Sequence, residues 1–314
     1  MTRMALRALL SLALLGAAAC AGVVTSTPQM AGPDIPIRLE ARRTPLGVGG
    51  AMLAPGVRYA GGLTLRGTYL HGLSDLKVDG DRAWIVSDFG DLVRFALRFD
   101  SNGRLASADQ ATRRALSDPN GAVLAPKDRA DAEGLAILPD GQVIVSFEGE
   151  HRIWSYGRDA LERPQAIASP QVDRPLNEGF EGWAQAPGGW LVLAEGGGGW
   201  LCQPQRCAAF GDLTPSEGYR FTAVDRNPAG EGWYVVERFY QPPFDMRTRV
   251  RALSADGRLS SPLIELRPPA SVDNFEGIAA VRSTGGVRLY LLSDDNANSL
   301  QKTLLLAFDV EPVS

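Results

Sequence analysis

The sequence predicts an all-β fold, a six-bladed β-propeller, on three observations. The first is a recurring hairpin. In Asp131 to Glu148 two apolar runs flank Pro139-Asp140-Gly141, a turn in which proline presets φ and glycine takes the positive-φ position. Glu133 opens the first strand and Glu148 closes the second, so the hairpin returns both acids to the end away from the turn. Related units run from Glu181 to Glu195 and from Glu276 to Asp294, with weaker copies from Ser74 to Asp88 and from Thr222 to Glu237. The second observation is the period: closing acids at 88, 148, 195, 237 and 294 are spaced by 60, 47, 42 and 57 residues, the size of propeller blades. The third is punctuation, with 35 glycines and 21 prolines in a chain that shows no three-turn helix outside its leader.

Taken in order, residues 1–20 read as a secretory leader: Arg3 and Arg7, apolar Ala8 to Gly16, then Ala17-Ala18-Ala19 before Cys20. Its apolar core, about a dozen residues, is shorter than the roughly 20 a membrane-spanning helix needs. Cysteine after small residues fits a lipoprotein cleavage box, although Ala17 stands where leucine is usual; ordinary signal cleavage is the alternative. The expectation is an exported protein, periplasmic or outer-membrane-anchored, touching a membrane only through a lipid on Cys20. Residues 21–35 read as a tether, and 36–314 as one domain. Ile37, Leu39 and Ala41 alternate with Arg38, Glu40 and Arg42, a half-buried strand. That stretch and Gly61 to Gly67 are expected to build the incomplete blade at 36–68, with the two chain ends pairing to close the ring.

Five repeats follow: His71 to Leu97, Asp131 to Tyr156, Asn177 to Cys202, Tyr219 to Leu253 and Asp273 to Val310. Residues 104–130 lack a pattern and are expected to be a loop, either a substrate wall or disordered. Gly196 to Gly199 fits either a close ligand approach or a connector, and lacks the Gly-Lys-Ser/Thr of a phosphate loop. Cys202 and Cys207 flank a proline-containing turn and suit a local disulfide in an oxidising compartment.

Net charge is −4, or −6 without the leader arginines, which excludes the basic stripe of a nucleic-acid binder. The chemistry is expected where the repeats converge. Asp88, Glu133, Glu181, Glu195, Glu276 and Asp294 are candidate metal ligands; Glu148, His151, Arg152, Glu237 and Arg238 are candidate catalytic residues. Carboxylates crowded together repel by roughly 4 kcal/mol for a pair 4 Å apart at an effective dielectric near 20, so they must protonate, pair with cations or bind a metal. Oxygen donors with two histidines in the whole chain favour a hard ion, Ca²⁺ ahead of Mg²⁺. The competing structural reading is that Glu-Gly makes a tight lead-in to each inner strand, that Glu148 and Glu237 pair with His151, Arg152 or Arg238, and that His151 is an ordinary structural histidine.

Glu133-Gly-Leu-Ala-Ile, Val-Ser-Phe-Glu148-Gly-Glu-His-Arg-Ile-Trp-Ser-Tyr, Phe180-Glu-Gly, Val-Val-Glu237-Arg-Phe and Asn274-Phe-Glu-Gly, in that order, resemble the secreted bacterial phytase-like family (esterase-like activity of phytase) over roughly residues 60–310. Calcium-dependent β-propeller phytases are more distantly similar. By that analogy Glu133, Glu148, Glu181 and Glu276 are channel calcium ligands. The Asp-Asp-Pro-Ala-type motif of those enzymes has no counterpart here, and no basic phosphate cleft aligns, with Arg152 and Arg238 as nearby candidates.

The functional expectation is therefore a monomeric, Ca²⁺-dependent hydrolase of small phosphate or carboxylic esters. No Gly-x-Ser-x-Gly supports a nucleophilic triad. Two alternatives stay open at this point: a non-catalytic propeller lipoprotein that binds a sugar, lipid or protein, and a metal-dependent lactonase.

Overall fold

The computed structural model describes residues 32–312 except 126, 173–178 and 244. The expected leader, Cys20 and most of the expected tether lie outside the described residues.

Short strands come first: β1 (Ile35–Pro36), β2 (Glu40–Arg43), β3 (Ala51–Leu53) and the long β4 (Val57–Arg66). The first meander is β5 (Leu73–Asp79), β6 (Arg82–Ser87), β7 (Asp91–Phe99) and β8 (Leu105–Ala115). One helical turn, α1 (Lys127–Ala130), leads to the second: β9 (Ala132–Ile137), β10 (Gln142–Phe147), β11 (Ile153–Arg158) and β12 (Gln165–Ala166). The third comprises β13 (Gly182–Ala186), β14 (Gly189–Leu193), β15 (Gly199–Gln203) and β16 (Arg206–Ala209). The fourth comprises β17 (Arg220–Arg226), β18 (Trp233–Gln241), β19 (Asp245–Leu253) and β20 (Leu259–Leu266). The fifth comprises β21 (Asn274–Ser283), β22 (Gly286–Asp294) and β23 (Thr303–Val310), completed by β4.

Consecutive strands pair antiparallel throughout each meander. The expected turn at Pro139-Asp140-Gly141 is present, with Gly141 at φ +85° and its N–H donating to Leu138 O at 2.8 Å. Five apolar clusters then order the meanders in space. They lie between the first and second (Val86, Leu135), second and third (Ile144, Trp183), third and fourth (Leu193, Phe221), fourth and fifth (Val250, Ile278), and fifth and first (Tyr290, Leu76). Each meander thus buries both faces against its neighbours and the cycle closes.

Residues 36–68 do not make the expected sixth blade. They supply one long strand and short ones without hairpin partners, and all are taken up by existing sheets: β2 pairs with β4, β3 with β20, and β1 with β8. The expected pairing of chain ends is seen, because β4 lies antiparallel to β23 and covers what would be an open edge. A single parallel bridge, Gly61 to Leu105, joins β4 to β8 and merges the fifth and first meanders into one ten-stranded sheet.

Two local expectations are corrected, and the glycine run takes the connector reading. Leu105–Ala115 is a strand, not an unpatterned loop; its buried residues Leu105, Ala108 and Ala111 fall every third position because register shifts interrupt the alternation against β7. Asp34 and Ile35, assigned to the tether, are docked: the Asp34 carboxylate accepts from Arg94 and Arg114, and Ile35 pairs with Arg113. The glycine run is a turn, with Gly197 N–H donating to Ala194 O and Gly198 N–H to Leu213 O. Cys202 and Cys207 face each other across β15 and β16 and form the disulfide.

Candidate functional site

Each meander delivers two positions to the same end of the ring. The inner position sits at or beside a β-bulge. Ala132 and Gly134 pair with Phe147 and Ser146, which leaves Glu133 outside the ladder. Ser74, Thr222 and Glu276 are left out in the same way in the first, fourth and fifth meanders, and Glu181 stands just before β13. A bulge re-aims the extra side chain, here toward the ring axis. The glycine after each glutamate serves packing: a Cβ on Gly134 would lie 2.1 Å from Trp183 Cδ1, and one on Gly277 would lie 2.9 Å from Leu76 N. Glu-Gly is therefore a lead-in to the strand and a delivery device at once.

The outer position closes the second strand, opposite the residue two before the inner one. The N–H groups of Asp88, Glu148 and Glu195 donate to the carbonyls of Gly72, Asp131 and Gly179, while Asp294 pairs with Asn274 and Arg238 with Arg220. Nine of these ten positions, all but the buried Ser74, line a cavity of about 190 Å³ with Asp131 and Asn296: Asp88, Glu133, Glu148, Glu181, Glu195, Thr222, Arg238, Glu276 and Asp294. All six expected metal ligands are there, and so are Glu148 and Arg238.

Glu237, His151 and Arg152 are not among the lining residues. Glu237 is one register position away from the closing place, which belongs to Arg238, and a one-residue step in a strand reverses the face. Fully buried, Glu237 accepts from Ser216 N at 3.1 Å, Ser216 Oγ at 2.8 Å and Arg251 at 3.1 Å. The Arg152 guanidinium stacks 4.4 Å over Phe147 and 4.7 Å over Trp154 and donates to Glu150 and the Arg129 carbonyl. His151 sits at φ +46° with its ring edge-on to Phe180.

Sequence reading did not single out Asp131, Thr222, Asn296 or Asn274. Asp131 carried a usable signal, since residues two apart in an extended chain share a face and Asp131 is two before Glu133. Asn274, two before Glu276, carried the same signal; what it lacked was any sign of its partner on a distant strand, since it donates to Glu276 Oε1 at 2.7 Å and accepts from Arg238.

Among the described residues eight carboxylates and one arginine line this mouth, and four of the carboxylates are weakened acids. Burial, followed by the charges of Glu181, Asp88, Glu276 and Asp131, raises Glu133 well above the usual carboxylate range. Glu181 rises well above it too, through burial and then Glu276, Glu195 and Glu148, against the opposing pull of Arg238. Burial pushes Glu276 up to about 8 despite Arg238, and Asp294 up to about 7 with Asp88 adding. Arg238 lies 2.6 Å from Glu276 Oε1 and 3.7 Å from Glu195 Oε1, and Arg220 lies 3.7 Å from Glu195 Oε2. Across the mouth Asp88, Asp131 and Glu133 each place a carboxylate oxygen within 4.8 Å of the others. That all-oxygen, negatively charged set fits a hard divalent cation.

Polar side chains fill the axis behind the mouth. Lys77 Nζ, buried at the axis, binds Asp75 at 2.9 Å and the carbonyls of Leu76, Val224 and Ile278 from three inner strands at 3.1 to 3.3 Å. Asp75 and Asp225 extend the plug by accepting from Leu135 N–H and Ala280 N–H.

Among solved structures the chain is similar to the major Malassezia sympodialis allergen Mala s 1, at 14% identity and TM-score 0.42, over 83% of this chain and 92% of that one. It is similar to YCF48 bound to a D1 peptide, at 14% identity and TM-score 0.40, over 91% and 100%. A Lactobacillus plantarum protein is similar at 13% identity and TM-score 0.38, over 82% and 83%. No curated protein sequence matches. The family described as Phytase-like, esterase-like activity of phytase, matches residues 68–297, the stretch that carries both site positions of all five meanders, and the chain belongs to that family.

Proposed function

We propose that the protein is a metal-dependent hydrolase of small phosphate or carboxylic esters, working at the carboxylate mouth of a five-bladed propeller and exported to the cell envelope. The observation that carries this reading is the convergence of eight carboxylates and one arginine on one end of a ring whose axis is plugged. Asp88, Asp131 and Glu133 would hold the ion, Ca²⁺ ahead of Mg²⁺. When bound, the ion supplies Lewis acidity for the ester oxygen.

This chain's own residues supply the rest. Glu148 lines the cavity outside the trio and is placed to accept a proton from an attacking water. Asn274 and Arg238 fix the Glu276 carboxylate through charge-assisted hydrogen bonds. Lys77, bound to Asp75 and to carbonyls of three inner strands, braces the axis behind these carboxylates.

The test is turnover of p-nitrophenyl phosphate and p-nitrophenyl acetate by the purified protein with CaCl₂, then with chelator. Calcium-dependent turnover that Glu133→Gln abolishes supports the reading. Turnover of neither ester, with or without the ion, overturns it.

A further inference from the structure

The fourth meander breaks the pattern of the other four. Its closing position holds Arg238 where the others hold Asp88, Glu148, Glu195 and Asp294, and its inner position holds Thr222, whose hydroxyl donates to Phe275 O at 2.9 Å. This meander therefore brings a cation to the mouth and no anion. The cation is held where an ion would be. It bonds Glu276 and the Asn274 side-chain oxygen and lies within ion-pair distance of Glu195, with its own side chain only 20% exposed. The Asp88, Asp131 and Glu133 trio belongs to the seam of the first and second meanders, and neither Arg238 nor any other basic residue is ion-paired to Glu133 among the described residues.

We propose that the Arg238 guanidinium is a built-in substitute for a second metal ion: it fills the Glu195 and Glu276 side of the mouth and limits the site to a single divalent cation at Asp88, Asp131 and Glu133. The inference rests on the metal reading above and adds a stoichiometry to it. A guanidinium is a fixed, permanently charged, planar donor, so it neutralises two carboxylates without competing for the trio's oxygens. Replacing it with a neutral side chain removes the cation from Glu276 and leaves Glu195 with Arg220 alone, at 3.7 Å, so that Glu276, Glu181 and Glu195 form a second oxygen-donor set.

Isothermal titration with CaCl₂, read together with the melting temperature, tests this. The expected result is one Ca²⁺ per wild-type chain, two per chain in Arg238→Gln, and one in Arg238→Lys, which keeps the charge. Asp88→Asn should weaken the wild-type site by about 100-fold, because ligand charge sets calcium affinity, and Glu195→Gln should leave it essentially unchanged. One ion in both wild type and Arg238→Gln overturns the inference and leaves the metal reading standing. Two ions in the wild type also overturn it. No ion in the wild type overturns the metal reading, and this inference with it. Should Arg238→Gln fail to fold, the contrast between Asp88→Asn and Glu195→Gln still decides, since equal losses from both would place the ion across the whole mouth and contradict the proposal.

Discussion

Lys77 Nζ lies 2.9 Å from Asp75 Oδ2 at the centre of the ring, both side chains buried, and the same ammonium ties together carbonyls from the first, fourth and fifth meanders. Its removal should be felt by the whole ring. Lys77→Met leaves Asp75 buried without its counter-charge, and breaking a buried pair from one side costs about 3–5 kcal/mol. The midpoint of urea unfolding should fall accordingly, and Lys77→Met/Asp75→Asn should recover part of the loss. An unchanged midpoint in Lys77→Met would show the plug to be ornamental.

The Glu-Gly pairs make a separate prediction about packing. In Gly134→Ala the new methyl would meet Trp183 Cδ1 at 2.1 Å and Ser146 Oγ at 2.6 Å. Overpacking of this kind costs about 1–3 kcal/mol, and urea unfolding should show it with no change in calcium stoichiometry.

Glu148 and Glu237 look alike in sequence and should behave oppositely. Glu237→Gln strips the charge from a buried acceptor of Ser216 and Arg251, so stability should drop by about 2 kcal/mol while calcium dependence is kept. Glu148→Gln should lower turnover by about 100-fold, the usual contribution of a general base. Paired measurements of melting temperature and rate on both variants check this.

Stability of the calcium-free protein should fall as pH rises. Glu276 and Asp294 are held at about 8 and about 7, above their ordinary 4.5 and 3.8, by burial first and neighbouring acids next. The folded state therefore binds protons that the unfolded chain has already released. The stability they contribute is complete below pH about 4 and is lost as pH climbs through 7 to 8. Asp75, pushed up to about 7 by burial, adds in the same direction. The loss should be on the order of 2 kcal/mol or more at about 1.4 kcal/mol per pKa unit. Melting temperatures in chelator between pH 5 and 8.5 check the sign, and a rise with pH contradicts it.

How much of this was legible in the sequence follows the range of each interaction. Turn tripeptides and Glu-Gly pairs are local, and they placed the hairpins and seven of the mouth's carboxylates. Register is not local. Glu237 was read as a closing acid because Val-Val-Glu resembles Val-Ser-Phe-Glu, and only the pairing of Arg238 with Arg220 shows which residue holds that place. Strand Leu105–Ala115 was hidden by bulges that break the two-residue period. The sixth blade fails for another reason: the end pairing is expected, but nothing near residues 36–68 reveals that β4, in pairing with β23, completes the fifth meander and does not start a blade of its own.

The central claim is that the mouth is an ion site, and a thermal melt of the purified protein in calcium and then in chelator tests it most directly. Binding to the native state alone adds about 2.7 kcal/mol at a hundredfold excess of ligand over Kd, so calcium should raise the melting temperature. Chelator should reverse the rise, and Asp88→Asn and Glu133→Gln should each abolish it. Identical melts in calcium and chelator for the wild-type protein would contradict the account.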